Sequence, residues 1–98
     1  MTRQGPPPRR PVTVTLWEAQ ARRDYAHWHA NDRKIRDRIN TLVEVIETEP
    51  FSGIGKPEPL QWELARYWSR RIDKANRIVY RVERGVLTII SCRYHYTK

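Results

Sequence analysis

Residues 56–96 carry the side chains most suited to chemistry: one carboxylate between two prolines, several arginines, and a histidine near the end of a predicted strand. The carboxylate is Glu58 and the histidine is His95. RNA supplies its own nucleophile, the 2′-hydroxyl, so its cleavage needs a base to take that proton and an acid to protonate the departing 5′-oxygen. Arginines can stabilise the negative charge that develops on phosphorus. These residue types therefore suit RNA cleavage without a metal ion.

The proline neighbours of Glu58 favour a fixed carboxylate. Each proline sets its own φ and narrows the conformations of the residue before it. A carboxylate held in this way is positioned at low entropic cost, which suits a catalytic base. From the loop alone, an exposed turn glutamate is the simpler interpretation. A lone strand histidine is also commonly structural, and the arginines near His95 are what favour a functional role.

The charge of the chain is uneven. It has 19 Lys and Arg against 11 Asp and Glu, for a net charge of +8. Residues 17–60 hold 7 basic and 8 acidic residues, whereas residues 61–98 hold 9 basic and 3 acidic ones. A basic half beside a nearly neutral half favours a polyanionic partner, either a nucleic acid or an acidic protein. Charge alone leaves a solvated basic face as the alternative.

The first half of the chain predicts a strand followed by two helices. Residues 12–16 alternate as a short strand, and Thr15 and Glu18 stand at capping-box spacing for the first helix. Its apolar face is formed by Trp17, Ala21, Tyr25 and Trp28. Asn31 or Asp32 ends it, and a second helix is predicted over residues 33–48. The apolar stripe of that helix is Ile35, Ile39, Leu42, Val43 and Ile46.

The second half predicts a loop and an antiparallel sheet. Two glycines and three prolines make regular structure improbable over residues 50–59. Strands are predicted over residues 68–72, 77–82 and 86–96, with short connections between them. Alternation separates Ser91, Arg93 and His95 from a second face formed by Val86, Thr88, Ile90, Cys92, Tyr94 and Tyr96. If the register aligns the strands, one basic surface forms from Arg77, Arg81, Arg93 and His95, and the helices cover the other side of the sheet.

Length and composition bound the class of protein. The 98 residues suit a Pro/Arg-rich disordered arm over residues 1–11 and a single domain over residues 12–98. Cys92 has no partner for an internal disulfide, so we expect a buried small side chain and a cytoplasmic location. No apolar run is long enough to span a membrane. No metal-ligand spacing or phosphate-binding glycine motif is present, so no metal or cofactor is predicted.

Several segments of the sequence resemble the YoeB (Txe) family of toxins within the RelE superfamily. They are Pro50-Phe51 with Gly53, Gly55 to Leu60, Trp68 to Ile72, Arg77 to Tyr80, and Cys92 to Tyr96. The resemblance continues upstream through Trp17, Tyr25, Trp28, Ile35, Asn40 and Leu42. It covers about Val14 to Tyr96, which is nearly the whole chain.

This resemblance implies an α+β fold of the RelE-like microbial ribonuclease type, with two N-terminal helices packed on an antiparallel β-sheet. It implies the toxin of a type II toxin–antitoxin system, a ribosome-dependent endoribonuclease that cuts mRNA in the ribosomal A site and inhibits translation. A YefM-like antitoxin is the implied partner, with an acidic C-terminal segment that covers the active site. Homodimers are a further implication.

The resemblance also assigns roles to residues. The catalytic positions fall on Glu58 as general base, Arg77 as phosphate-stabilising cation, and His95 as general acid with Tyr96 beside it. The substrate-binding positions fall on Lys56, Arg70, Arg71 and Arg93.

Three features depart from the family pattern. Gln61 stands where a lysine is typical, Thr97 and Lys98 follow the tyrosine at which the family usually ends, and the proline-rich arm has no counterpart. Two other functions stay open at this stage. One is a non-catalytic binding module that acts through an antitoxin complex and transcriptional autoregulation. The other is a plain RNA-binding basic domain.

Overall fold

The computed structural model of the protein describes residues 11–61 and 64–94. These residues form two helices and a five-stranded sheet, with the connections between them. The strands are β1 (Val14–Trp17), β2 (Glu58–Pro59), β3 (Trp68–Arg71), β4 (Arg77–Glu83) and β5 (Val86–Ser91), and the helices are α1 (Ala19–Asn31) and α2 (Arg33–Thr48). The predicted arm, apart from Pro11, and the predicted site residues His95 and Tyr96 lie outside the described residues.

The sheet has the strand order β1-β5-β4-β3-β2. Strands β3 to β5 pair antiparallel, as predicted. Strand β2, in a segment predicted to be a loop, pairs antiparallel with β3, and β1 pairs in parallel with β5. The α+β fold is confirmed, and the sheet is mixed because the first strand joins its edge beside the last one. Neither helix has the length and apolar character needed to cross a membrane.

Helix α2 supplies much of the core and begins and ends where the sequence predicts. Asp32 caps its N-terminus, because its carboxylate accepts a hydrogen bond from the backbone N–H of Ile35 at 3.2 Å. The buried residues of α2 are Ile39, Leu42, Val43 and Ile46. They share one buried cluster with sheet residues Ile78, Tyr80, Leu87 and Ile89. The helices therefore cover one face of the sheet and leave the other face free for a site.

The predicted capping box at the start of α1 is wrong. Thr15 lies in β1, where its hydroxyl donates to Glu47 Oε2 at 2.6 Å. Glu18 holds the N-cap position but makes no side-chain cap hydrogen bond. Strand pairing with β5 continues to Trp17, and the backbone N–H of Glu18 still donates to Ile89 O at 3.0 Å. Pairing in the sheet therefore delays the start of the helix.

A bulge between β4 and β5 overturns the predicted alternation of the last strand. Val79 pairs with Ser91, but the next residue, Tyr80, pairs with Ile89, so Ile90 has no partner in the register. An extra residue reverses which side chains face the helices. The core residues are therefore Leu87 and Ile89 before the bulge and Cys92 after it. Strand β5 ends at Ser91 and does not run on through Tyr94 as predicted.

Cys92 is a buried small side chain, as predicted. It is 0% exposed, and its backbone N–H donates to Asp24 Oδ2 at 3.0 Å. Burial, assisted by the negative charge of Asp24, raises the pKa of the Cys92 thiol to about 12. Burial also raises the pKa of Tyr80, although the neighbouring Arg70 opposes that shift. The folded protein therefore holds both side chains in their protonated forms.

Raising the pH above 9 should destabilise the fold. In the unfolded chain the Cys92 thiol ionises near its ordinary pKa of 9.0, whereas burial raises this pKa to about 12 in the folded chain. Stability is therefore full below about pH 9 and is lost between pH 9 and pH 12, at up to about 1.4 kcal/mol per pH unit from this thiol. Urea unfolding at pH 8 and pH 10.5, for wild type and Cys92→Ala, measures this loss. Equal pH slopes for the two proteins would contradict the assignment.

Candidate active site

Glu58 and Arg77 meet on the sheet face that the helices leave open. A row of paired residues crosses four strands there: Glu58, Ser69, Val79 and Ser91. Arg77 Nη1 lies 3.2 Å from Glu58 Oε1 and donates to Ser69 Oγ at 3.1 Å. The fold therefore brings the predicted base and the predicted phosphate-binding cation into direct contact, although they lie on different strands.

Glu58 is held in a short edge strand and not in an irregular loop. Its pairing with Ser69 forms β2, and the backbone N–H of Leu60 donates to Tyr67 O at 2.9 Å just beyond it. Prolines are tolerated beside Glu58 because an edge strand has one side without a ladder partner. The Glu58 side chain is 59% exposed. The carboxylate is thus fixed by its backbone and open to a substrate.

Ser69 is a site residue that the sequence analysis missed. It is 1% exposed, and its hydroxyl accepts the hydrogen bond from Arg77 that turns the guanidinium toward Glu58. The register of β3 against β4 is what places Ser69 diagonally across from Arg77. The sequence could have indicated this residue only if that register had been known.

Arg70 is not available to RNA, and its predicted role in substrate binding is corrected here. Its side chain is 0% exposed because alternation in β3 directs it toward the helices. The guanidinium donates to Ile54 O at 3.0 Å, to Ser52 O at 2.8 Å and to the Tyr80 hydroxyl at 3.1 Å, and it also bonds Glu49 O. Arg70 therefore fastens the loop after α2 to the sheet.

Arg71 and Lys56 extend the positive charge beside Glu58 and Arg77. Arg71 pairs with Arg77 in the register, which puts both side chains on the same face, and it is exposed. The backbone N–H of Arg71 donates to Gly55 O at 2.7 Å, so the exposed Lys56 follows directly beside it. Within residues 11–61 and 64–94, no carboxylate lies in ion-pair range of either cation.

The predicted basic surface is broken at Arg93, whereas Arg81 alternates onto the same face as Arg77. The Arg93 guanidinium lies over the rings of Tyr94 and of Trp28, a residue of α1, so it packs against the helix layer and not beside Arg77. Arg81 donates to the Tyr67 hydroxyl at 3.1 Å. The end of β5 at Ser91 is the physical reason for the displacement of Arg93, since this residue lies beyond the strand, where alternation no longer sets the direction of its side chain.

The candidate site lies outside the groove found beside β1 and α1. That groove is about 1060 Å³ in volume, and its lining includes Trp17 and Tyr25 together with Asn40 of α2 and Arg81 of β4. It includes neither Glu58 nor Arg77. The Glu58 side chain is 59% exposed and that of Arg77 is 11% exposed, so a substrate reaches the pair from the side of the carboxylate.

The predicted general acid, His95, is the first residue after the described part of the chain, and Tyr96 follows it. Tyr94, which precedes them, is held at the site: its carbonyl accepts a hydrogen bond from the backbone N–H of Arg77 at 3.1 Å. The chain is therefore anchored beside Arg77 immediately before His95.

Comparison with known proteins agrees with the fold. The family model of the YoeB-like toxin of bacterial type II toxin-antitoxin systems matches residues 17–96. The toxin YoeB of Streptomyces coelicolor is 52% identical over 73 residues, which cover 74% of this chain and 87% of the relative.

Two solved structures from Staphylococcus aureus are also similar. A YoeB dimer aligns with a TM-score of 0.79 at 40% identity, covering 85% of this chain and 97% of the S. aureus chain. A heterotetrameric YoeB-YefM toxin-antitoxin complex aligns with a TM-score of 0.78 at 39% identity, covering 87% of this chain and 100% of the other. This chain belongs to the family of YoeB-like toxins of bacterial type II toxin–antitoxin systems.

Proposed function

We propose that this toxin is a ribosome-dependent endoribonuclease that cuts mRNA in the A site through the 2′-hydroxyl, without a metal ion, and so inhibits translation. The contact between Glu58 and Arg77, 3.2 Å long with the Glu58 side chain 59% exposed, is the observation that carries the proposal. It places a proton acceptor and a phosphate-binding cation at one point. A module that only binds RNA has no need of a carboxylate facing the phosphate.

Each residue has one role in this reaction. Glu58 takes the proton of the 2′-hydroxyl, and the oxygen attacks the adjacent phosphorus. Arg77 stabilises the negative charge that forms on the phosphoryl oxygens. His95, with Tyr96 beside it, protonates the departing 5′-oxygen as its bond to phosphorus breaks. The products are a 2′,3′-cyclic phosphate and a 5′-hydroxyl, so all atoms and protons balance.

The Glu58–Arg77 ion pair fits a resting state that gives way to substrate. A pair with one exposed partner is worth only about 0–1 kcal/mol. Arginine forms stronger, two-pronged hydrogen bonds with phosphate. An incoming phosphate therefore replaces the carboxylate at Arg77 and leaves Glu58 free to act as a base. Lys56 and Arg71 contact the flanking phosphates in this arrangement.

The proposed dependence on the ribosome fits the position of the site. Glu58 and Arg77 lie outside the groove that lies beside β1 and α1. The 2′-hydroxyl, the phosphorus and the leaving oxygen must lie nearly in line for fast transfer. The mRNA held in the A site supplies this alignment, and the net charge of +8 favours binding to ribosomal RNA.

The proposed regulatory partner is a YefM-like antitoxin. Support comes from the S. aureus YoeB-YefM complex and from the free cations at the site, which suit an acidic segment. An acidic segment over Lys56, Arg71 and Arg77 would block access to Glu58. We propose homodimers as well, by analogy with the S. aureus YoeB dimer.

Primer extension in a purified translation system tests the activity, and analysis of the new RNA ends tests the mechanism. We expect breaks in the A-site codon of a translated mRNA, none in the same mRNA without ribosomes, and 2′,3′-cyclic phosphate ends. A 5′-phosphate on the downstream product would overturn the 2′-hydroxyl mechanism. Ribosome binding without breaks would instead favour the non-catalytic module that acts through its antitoxin complex.

A further inference from the structure

Tyr94 has an unusual conformation for a residue with a large side chain. Its φ is +68°, in the left-handed region, and its side chain is 65% exposed. This conformation costs a residue other than glycine about 1–2 kcal/mol. Residues held in such conformations cluster at functional sites, where the surrounding structure imposes them. The exposed ring gains no burial that would offset this cost, so other contacts must hold Tyr94 in this conformation.

Hydrogen bonds to the turn before β4, and to the first residue of β4, impose this conformation. The backbone N–H of Tyr94 donates to Asn76 Oδ1 at 2.6 Å, and the Tyr94 carbonyl accepts from Arg77 N–H at 3.1 Å. Asn76 is itself 7% exposed, and its side-chain amide donates to Asp73 Oδ1 at 3.1 Å. The turn between β3 and β4 and the start of β4 therefore hold both backbone groups of Tyr94 and keep it beside Arg77.

Among the described residues, a cation supports the ring of Tyr94 from one side. The Arg93 guanidinium lies 4.6 Å from its centroid, and the same guanidinium lies 5.9 Å from the ring centroid of Trp28. Arg93 thus joins the exposed ring to a tryptophan of the helix layer. With 65% of Tyr94 exposed, the ring remains open to a flat ligand.

We propose that Tyr94 is a stacking platform for an unpaired nucleobase of the RNA substrate, adjacent to the phosphate that Arg77 binds. The choice of a nucleobase rests on the proposed function. Aromatic rings bind bases of single-stranded RNA by stacking, whatever the base, because every base has a π-face. The hydrogen bond from Arg77 N–H to the Tyr94 carbonyl sets the spacing between the platform and the phosphate-binding cation.

A single-stranded, 2′-O-methylated RNA oligonucleotide with one 2-aminopurine tests this directly. Methylation blocks 2′-hydroxyl attack, and stacking on an aromatic ring quenches 2-aminopurine fluorescence. At low salt we expect wild type and Tyr94→Phe to bind and quench equally. Tyr94→Leu should bind about 5- to 150-fold more weakly, with the quenching lost. Phe51→Leu, which changes another exposed ring, is the matched control and should behave as wild type.

Asn76→Ala provides a second variant that keeps the ring but removes its clamp. It should also lose quenching while its circular dichroism shows a folded protein. Affinity and quenching of Tyr94→Leu equal to wild type would overturn the platform. This readout needs no cleavage. If wild type quenches the base in this way but cuts no mRNA, the proposed activity fails while the platform stands.

Discussion

Glu58→Gln should lower the rate of mRNA cleavage on the ribosome by about 10²–10⁴-fold, the usual loss when a general base is removed. The amide has the shape of the carboxylate and can occupy the same place beside Arg77. It cannot take the proton of the 2′-hydroxyl. The change therefore removes proton transfer and leaves the geometry of the site intact. Single-turnover cleavage with saturating toxin measures the rate without a contribution from binding.

Binding and cleavage should separate in this variant. The affinity for the ribosome should stay the same or increase, because a negative charge that faces the phosphate is gone. Glu44→Gln, an exposed glutamate in the middle of α2, makes the same chemical change away from the site and should cleave as wild type. If Glu58→Gln cleaved mRNA at the wild-type rate, Glu58 would not be the general base. That result would leave Arg77 and the cations around it as a binding site only.

Arg70→Met should destabilise the protein by at least about 3 kcal/mol, which is a large part of the stability of a small domain. The variant keeps the length and apolar stem of the side chain but leaves the carbonyls of Glu49, Ser52 and Ile54 without their donor. These hydrogen bonds are part-buried, and a hydrogen bond to a charged group is worth about 1.5–3 kcal/mol. Urea unfolding followed by tryptophan fluorescence gives the free energy.

The next residue along the strand is the matched control for this measurement. Arg71→Met removes the same chemical group from an exposed position and should change the stability by no more than about 0.5 kcal/mol. It should weaken ribosome binding, because Arg71 lies on the face of Arg77. Equal losses of stability in the two variants would contradict the structural role of Arg70, since they would show that burial makes no difference.

The elements of this fold that are determined by residues close together in the sequence can be predicted from it. Helix α2 is predicted at both ends, because its cap at Asp32 and its apolar stripe are local signals. Prediction fails where a distant strand decides the outcome. Thr15 has the spacing of a helix cap, but pairing with β5 holds it in a strand. The bulge at Ile90 depends on how β5 meets β4, and nothing in the alternating pattern of β5 indicates it.

The same limit applies to the site. The motif around Glu58 indicates a fixed carboxylate, and the resemblance to the YoeB family supplies its role. The sequence does not indicate which of the adjacent residues Arg70 and Arg71 faces solvent. Alternation puts the two side chains on opposite faces of the sheet, but it does not say which face the helices cover. The contact between Glu58 and Arg77 needs the register of three strands, and that register became visible only in the folded sheet.

The parallel pairing of β1 with β5 determines when this protein can become active during its own synthesis. Val14 pairs with Val86, so the first strand has no partner until the last one has been translated. Strand β5 also lies between β1 and β4, and without it the sheet is divided. Contacts between such distant parts of a chain form late and slowly. We therefore expect nascent toxin chains to be harmless to the ribosome that makes them. An antitoxin would then have the interval before folding is complete in which to find its target.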